Sequence, residues 1–213
     1  MRGAWTGIRG LASEREQCGR MADRAIGRNP YMSGIWRYSL VADNGMAPCV
    51  EQGILTLCLC KPLIRKSACV GEWVVGFVPK RVNDGRVHVA WAGRIAKSVS
   101  MGDYEKGFSD RQDAIYKLTE PGWKFLRDDY HEEIRDRDLN GKNALIFEPF
   151  WYWGGNGIAA PEDIAELAHY YVGQTAKNSS PERITRLEEW LWSVAEPGIH
   201  GEPRDQLRTR SPK

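Results

Sequence analysis

Cys60 stands directly before Lys61, with Arg65 and Lys66 one helical turn further on. A thiol reacts as its thiolate, and a cationic neighbourhood lowers its pKa. Cys60 is therefore a candidate nucleophile and Lys61 a candidate amine beside it. A nucleophile of this kind needs a base, and the chain offers four histidines, at 88, 131, 169 and 200. His88 lies in an alternating apolar run, so a sheet can carry it toward Cys60. No motif ties these residues together: the G-x-S-x-G elbow and the phosphate-loop and dinucleotide fingerprints are absent. Cys58 and Cys60, with Cys69 and His88 as helpers, do not reproduce the paired cysteine spacing of a zinc site, and buried small hydrophobes are the simpler role. The catalytic candidates are Cys60, Lys61 and His88, with no metal and no cofactor expected. Whether the chain is an enzyme is open at this point.

The second available chemistry is stacking. Residues 147–158 read Phe-Glu-Pro-Phe-Trp-Tyr-Trp-Gly-Gly-Asn-Gly-Ile, in a chain with nine Trp. A strand here sends Phe150 and Tyr152 to one face and Trp151 and Trp153 to the other. Rings beside bare glycine backbone form a seat for a flat nucleobase, which stacks on any aromatic face. Trp151, Tyr152 and Trp153 are the base-binding candidates, with Asn156 to read a base edge. Trp36, Tyr38 and Trp73 on earlier strands can complete the pocket, and Lys61, Arg65 and Lys66 can hold phosphate. The competing reading is a strand buried on both faces that ends in a structural turn. The carboxylates of 128–138 read as a solvated charged connection.

Composition narrows the class without choosing among these. Hydrophobic residues make up 42% and charged residues 27%, ordinary values for a globular protein. A net charge of +2 neither requires nor excludes a nucleic-acid partner. Five cysteines, an odd number, do not form the disulfide framework of a small secreted domain. No apolar stretch approaches the ~20 residues of a membrane span, and the N-terminus lacks the apolar run of a signal peptide. These features point to a reduced, cytoplasmic protein with no membrane partner.

Positioning the candidates falls to the elements between two polar ends. Residues 1–33 read as a basic, disordered extension carrying Arg9, Arg15, Arg20, Arg24 and Arg28, and residues 197–213 as a disordered basic tail. Residues 34–196 read as a single domain. Alternation predicts a strand at 36–41, residues 54–60 read as a second strand or the start of a short helix, the apolar run 71–78 closed by Pro79 reads as a buried strand, and 87–95 reads as its return strand after the Asn83-Asp84-Gly85 turn. Residues 100–108 read as helical or looping, and 144–147 as a strand leading into the ring block. Pro161-Glu162-Asp163 and Ser180-Pro181-Glu182 each start a helix, with apolar residues then recurring at helical spacing. Strands early and helices late predict an α+β fold, with a mixed or antiparallel curled sheet that can close into a small PUA-like barrel, and C-terminal helices.

Several segments together carry a family resemblance. Trp36–Val41, Met46-Ala47-Pro48, Leu55-Thr56-Leu57-Cys58-Leu59-Cys60-Lys61-Pro62-Leu63-Ile64-Arg65 and Val70-Gly71-Glu72-Trp73-Val74-Val75-Gly76-Phe77 occur in the order seen in the nucleotide modification associated domain family, the second domain of that name. Phe150-Trp151-Tyr152-Trp153-Gly154-Gly155-Asn156 resembles the aromatic–Gly–Asn block near that domain's C-terminal end. The resemblance covers about residues 34–180. It implies an accessory of phage and bacterial systems that modify DNA bases, and it transfers no catalytic residues. Val70–Phe77 with the return strand to Ile95 is also similar in topology to PUA-like and EVE-like domains, which bind modified bases. The function expected is a nucleotide or nucleic-acid binding module associated with DNA base modification, stacking a base in an aromatic pocket, its partner DNA with modified bases. An enzyme that itself modifies a nucleotide is the alternative, and a protein-interaction scaffold the second alternative.

Overall fold

The computed structural model describes residues 34–40, 42–80, 84–127, 133–168, 174–178 and 180–204. The basic segment 1–33, His131 with most of the acidic connection around it, His169 and the tail beyond residue 204 lie outside the described residues. The fold is α+β. The strands are β1 (Ile35–Ser39), β2 (Cys49–Glu51), β3 (Ile54–Leu57), β4 (Trp73–Val78), β5 (His88–Ser100), β6 (Tyr116–Thr119), β7 (Gly122–Phe125), β8 (Asn143–Tyr152), β9 (Ile158–Ala159), β10 (Gln174–Asn178) and β11 (Gly198–Ile199). The helices are α1 (Pro62–Ser67), α2 (Met101–Phe108), α3 (Arg135–Leu139), α4 (Glu162–Ala165) and α5 (Pro181–Val194).

One nine-stranded sheet organises these elements in the order β10-β1-β4-β5-β8-β3-β2, with β11 added to β8 and β9 to β5. The sheet is mixed. β1 runs parallel to β4 and β11 parallel to β8, and the other pairs are antiparallel. It stays open and uncurled, because its end strands β10 and β2 pair with inner neighbours and not with each other. The barrel form of the expectation therefore does not arise among the described strands.

The central position of β4 follows from its residues. Trp73-Val74-Val75-Gly76-Phe77-Val78 is buried along its whole length, as a strand covered on both faces must be. Trp73, Val75 and Phe77 join one core with Ile35, Trp151, Leu187, Trp190 and Leu191, under α4 and α5. Val74 and Val78 face the opposite core with Trp36, Tyr38, Trp91, Phe147 and Tyr152, closed by Ile64 and Ala68 at α1. Gly76 is required there, since a Cβ would lie 2.3 Å from the Trp91 indole nitrogen. A third core around Met101, Tyr104, Ile115 and Tyr116 joins α2 to the β6–β7 hairpin at one end of the sheet.

Two strands outrun their sequence signal. β5 extends to Ser100 and β8 runs from Asn143 through the ring block to Tyr152. Pro149 is tolerated inside β8 because the β5–β8 register shifts between Phe147 and Phe150, where ladder hydrogen bonds are interrupted. The segment after Pro197, expected as disordered tail, adds β11 alongside Trp151 and Tyr152 and a bridge from Arg204 to Asp43.

Candidate functional site

The ring block was the first seat to test, and both faces of its strand are covered. Trp151 is fully buried under α5, with its indole N–H donating to the Ala195 carbonyl at 2.7 Å. Trp73 lies 6.1 Å from it and Trp192 meets it edge-on at 5.2 Å. Trp73 in turn donates to Glu188 on α5 at 2.8 Å. Trp73 and Trp151 thus hold α5 on the sheet, and a base reaches them only if that helix leaves. Trp153 is half-buried between Trp190 and the stacked ring of His200.

The glycines beyond the rings serve a chain crossing. Gly154 sits at φ +69°, and a Cβ there would lie 1.9 Å from the Glu202 carbonyl oxygen. Asn156 is exposed, and its side-chain oxygen accepts from Arg204 at 2.8 Å. The backbone oxygen of Asn156 lies 2.9 Å from His88 Nδ1, while His88 Nε2 meets Asp84 at 3.0 Å. Both ring nitrogens of His88 are thereby engaged away from Cys60, so no thiol–imidazole pair forms.

The phosphate candidates separate as well. Arg65 is fully buried and donates to the carbonyls of Asn143, Cys60 and Asp138 at 2.8, 3.0 and 2.8 Å, with Met101 Sδ at 3.0 Å. It ties α1 to β8 and α3, so the donors expected to hold phosphate are directed to backbone carbonyls within the protein. Lys66, in the last turn of α1, is half-buried. Lys61 places its ammonium 4.4 Å from the centre of the Tyr38 ring. Burial holds the Lys61 amine below its ordinary pKa.

Around Tyr38 the structure gathers a polar group inside an aromatic wall. Trp91 donates to the Tyr38 hydroxyl at 2.9 Å, its ring edge-on at 6.1 Å. Tyr152 donates to the Asp43 carboxylate at 2.7 Å, and the Gly45 N–H contributes a longer bond at 3.4 Å. Asp43 is only 1 % exposed. Burial raises its carboxyl pKa against both hydrogen bonds, and burial likewise raises Tyr38 and Tyr152. Such displaced ionisations in one place mark a candidate site. Trp36, on the same face, donates to Glu72 at 2.6 Å.

The backbone that delivers Lys61 is itself unusual. Cys60 and Lys61 are consecutive non-glycine residues in the left-handed region, at φ 53° and 41°. Each such residue costs about 1–3 kcal/mol, sustained only where the surroundings over-determine it. Here the Cys60 N–H donates to the buried Asp138 carboxylate at 2.6 Å, and Pro62 opens α1 immediately afterwards. Cys58 is buried, which pushes its thiol well above the ordinary range, and burial pushes Cys49 up to about 12.

Sequence reasoning singles out Tyr38, Tyr152, Cys60 and Lys61, and the structure brings Tyr38, Cys60 and Lys61 to one place with Tyr152 on the same face. It misses Asp43 and Trp91. Asp43 opens an Asp-Asn-Gly turn, a signal for chain reversal that carries no hint of burial. No helix of the described residues is long and apolar enough to cross a membrane.

The family model for Nucleotide modification associated domain 2 matches residues 32–125 and 112–210. The chain belongs to this family, whose description associates it with nucleotide modification. No curated protein and no solved structure matches the chain.

Proposed function

We propose that this chain is a nucleotide or nucleic-acid binding module associated with DNA base modification, and that it takes a base onto the Tyr38 ring in place of the Lys61 ammonium. The observation that carries the reading is Lys61 itself. Its ammonium rests over a ring and makes no ion pair or hydrogen bond among the described residues. A base stacked on that ring gains ~1–3 kcal/mol. The displaced ammonium then meets the phosphate, with Lys66 further along α1. The hydroxyls of Tyr38 and Tyr152 and the Asp43 carboxyl supply polar groups for a base edge. A duplex substrate, DNA with modified bases in particular, presents its base flipped out of the stack.

Trp91, bonded to Tyr38, reports on the event. Titration of Trp fluorescence with modified and unmodified nucleotides at low salt is expected to show quenching, weakened at least ~10-fold in Tyr38→Leu, which removes the stacking face. Absence of quenching by every nucleotide sinks the reading. The strained Cys60–Lys61 pair favours a second reading, in which the chain modifies the nucleotide through the Cys60 thiol or the Lys61 amine. That reading requires turnover of a bound nucleotide that Cys60→Ser or Lys61→Met abolishes.

A further inference from the structure

His88, the first residue of β5, sits between two oxygens. Its Nδ1 lies 2.9 Å from the Asn156 carbonyl oxygen, and its Nε2 lies 3.0 Å from Asp84 Oδ1. The carbonyl only accepts. Asp84 only accepts as well: Arg86 donates to its Oδ2 from Nε at 2.8 Å and from Nη2, which holds the carboxyl well below the usual carboxylate range. A neutral imidazole carries one N–H and satisfies one of the two oxygens, whereas the imidazolium donates to both. The bond to the carboxylate is the stronger, because its acceptor is charged. A neutral His88 therefore keeps its proton on Nε2 and turns the lone pair of Nδ1 toward the Asn156 oxygen. Its strand neighbours, Val78 on β4 and Ala159 on β9, carry no charge.

Asn156 belongs to the turn at 154–157 that follows the ring block. The turn fits closely on β5: Gly157 sits at φ +61°, and a Cβ there would lie 2.8 Å from the Val89 carbonyl oxygen and 2.9 Å from His88 Cβ. On the other side of the turn, Gly154 lies against the Glu202 carbonyl, and Asn156 Oδ1 accepts from Arg204 at 2.8 Å. The Arg204 backbone bridges to Asp43. One run of contacts thus leads from the His88 ring to the segment that covers Asp43.

We propose that His88 is a proton-operated clasp on this turn. As the imidazolium it ties the Asn156 carbonyl to Asp84. On losing its proton it lets the carbonyl go, which loosens the turn and with it the 202–204 segment over Asp43. Histidine ordinarily changes charge between about pH 5 and 8, so the clasp is closed at the acid end and opens as pH rises. The device stands whether or not a base occupies the Tyr38 ring.

The test is amide hydrogen exchange of the full chain at about pH 5.5 and about pH 8, each rate referred to its intrinsic value at that pH. The reporter amides are Gly157, bonded to the Gly154 carbonyl at 3.0 Å, and Ala160, bonded to the Val87 carbonyl at 2.9 Å. Their protection is expected to fall about 2–10-fold from the lower pH to the higher, the worth of one hydrogen bond. The Leu40 amide, bonded to the Phe77 carbonyl, is expected to keep its protection. Asp84→Asn is expected to abolish the fall and keep the turn protected at both pH values. Its side-chain amide donates to Nε2, so the neutral ring carries its proton on Nδ1 and the Asn156 bond persists. Equal protection of the wild-type turn at the two pH values, or the full fall retained in Asp84→Asn, overturns the proposal. Nitrogen-15 NMR of the wild-type His88 ring reads the same step without a variant. Protons on both nitrogens at the lower pH and on Nε2 alone at the higher support the clasp, and a proton on Nδ1 alone at the higher pH overturns it.

Discussion

Around Arg111 every guanidinium nitrogen donates: Nε to the Tyr104 hydroxyl at 3.0 Å, Nη1 to the Glu51 carbonyl at 2.7 Å and Nη2 to Thr56 at 3.0 Å. Asp113 answers the charge at 3.4 Å and accepts from Thr56 and Tyr104 at 2.6 and 2.7 Å. Around Asp43 the chemistry is similar and the accounting is not. A buried carboxylate has a tyrosine and one long backbone bond but no cation among the described residues, and the Lys61 ammonium leans on the Tyr38 ring. Both clusters lie inside the protein. The first spends its polar groups on itself and locks β2 and β3 to α2. The second keeps capacity in reserve, which is what a site for something else requires.

The comparison breaks most sharply at Asp113. Asp113→Asn leaves the buried Arg111 charge uncompensated, and removing one partner of such a pair costs about 3–5 kcal/mol. Urea unfolding at neutral pH measures it. A loss below ~1 kcal/mol means the Arg111 cluster is not the closed lock described and the contrast with Asp43 fails.

What was readable from the sequence divides along the same line. β4 was legible because a short apolar run bounded by Gly71 and Pro79 has few other uses, and α5 because Ser180-Pro181-Glu182 is a start signal followed by apolar residues at helical spacing. The face assignment within the ring block also holds, with Trp151 and Tyr152 in opposite cores. Local alternation does not show what lies over each face, because α5 comes some thirty residues later and only packing brings it onto Trp151. β10, Gln-Thr-Ala-Lys-Asn, has no apolar alternation and exists as a strand only through its pairing with β1. Arg65 reads as a surface cation by type and becomes a buried tie because the Cys60 carbonyl and two carbonyls from the distant segment 138–143 converge on it. Asp43 reads as a turn residue and is buried because Tyr152 and the segment ending at Arg204 close over it.

Asp43→Asn sharpens the comparison with an effect of opposite sign. Burial raises the Asp43 carboxyl above its ordinary value of 3.8, so the folded protein retains a proton that the unfolded chain has released. Stability then falls as pH rises from the unfolded pKa through the raised folded one, and the loss is complete above it. The amide carries no charge to desolvate and still accepts from Tyr152. The variant is expected to gain on the order of 1 kcal/mol at pH 7 and to show no gain below pH ~3.5. Unfolding curves at the two pH values decide the matter. A loss at pH 7 as large as that of Asp113→Asn places Asp43 among the self-satisfied groups.

The smallest effect on stability belongs to Lys61, and it is the most informative. Lys61→Gly keeps the left-handed backbone at φ 41° without a Cβ penalty, and it removes the ammonium from the Tyr38 ring. Relief of strain and loss of a cation–π contact are each worth about 1 kcal/mol and oppose each other, and glycine adds freedom to the unfolded chain. The net change in unfolding free energy is expected to stay within about 1 kcal/mol. Nucleotide binding, measured in the same protein by Trp quenching, is expected to weaken and to become less steeply dependent on salt, because one phosphate contact is gone. A residue kept in a strained conformation for stability shows the reverse, a large loss of stability with binding per folded molecule unchanged. That result would make Lys61 a structural cap of α1 and leave Tyr38 without its partner.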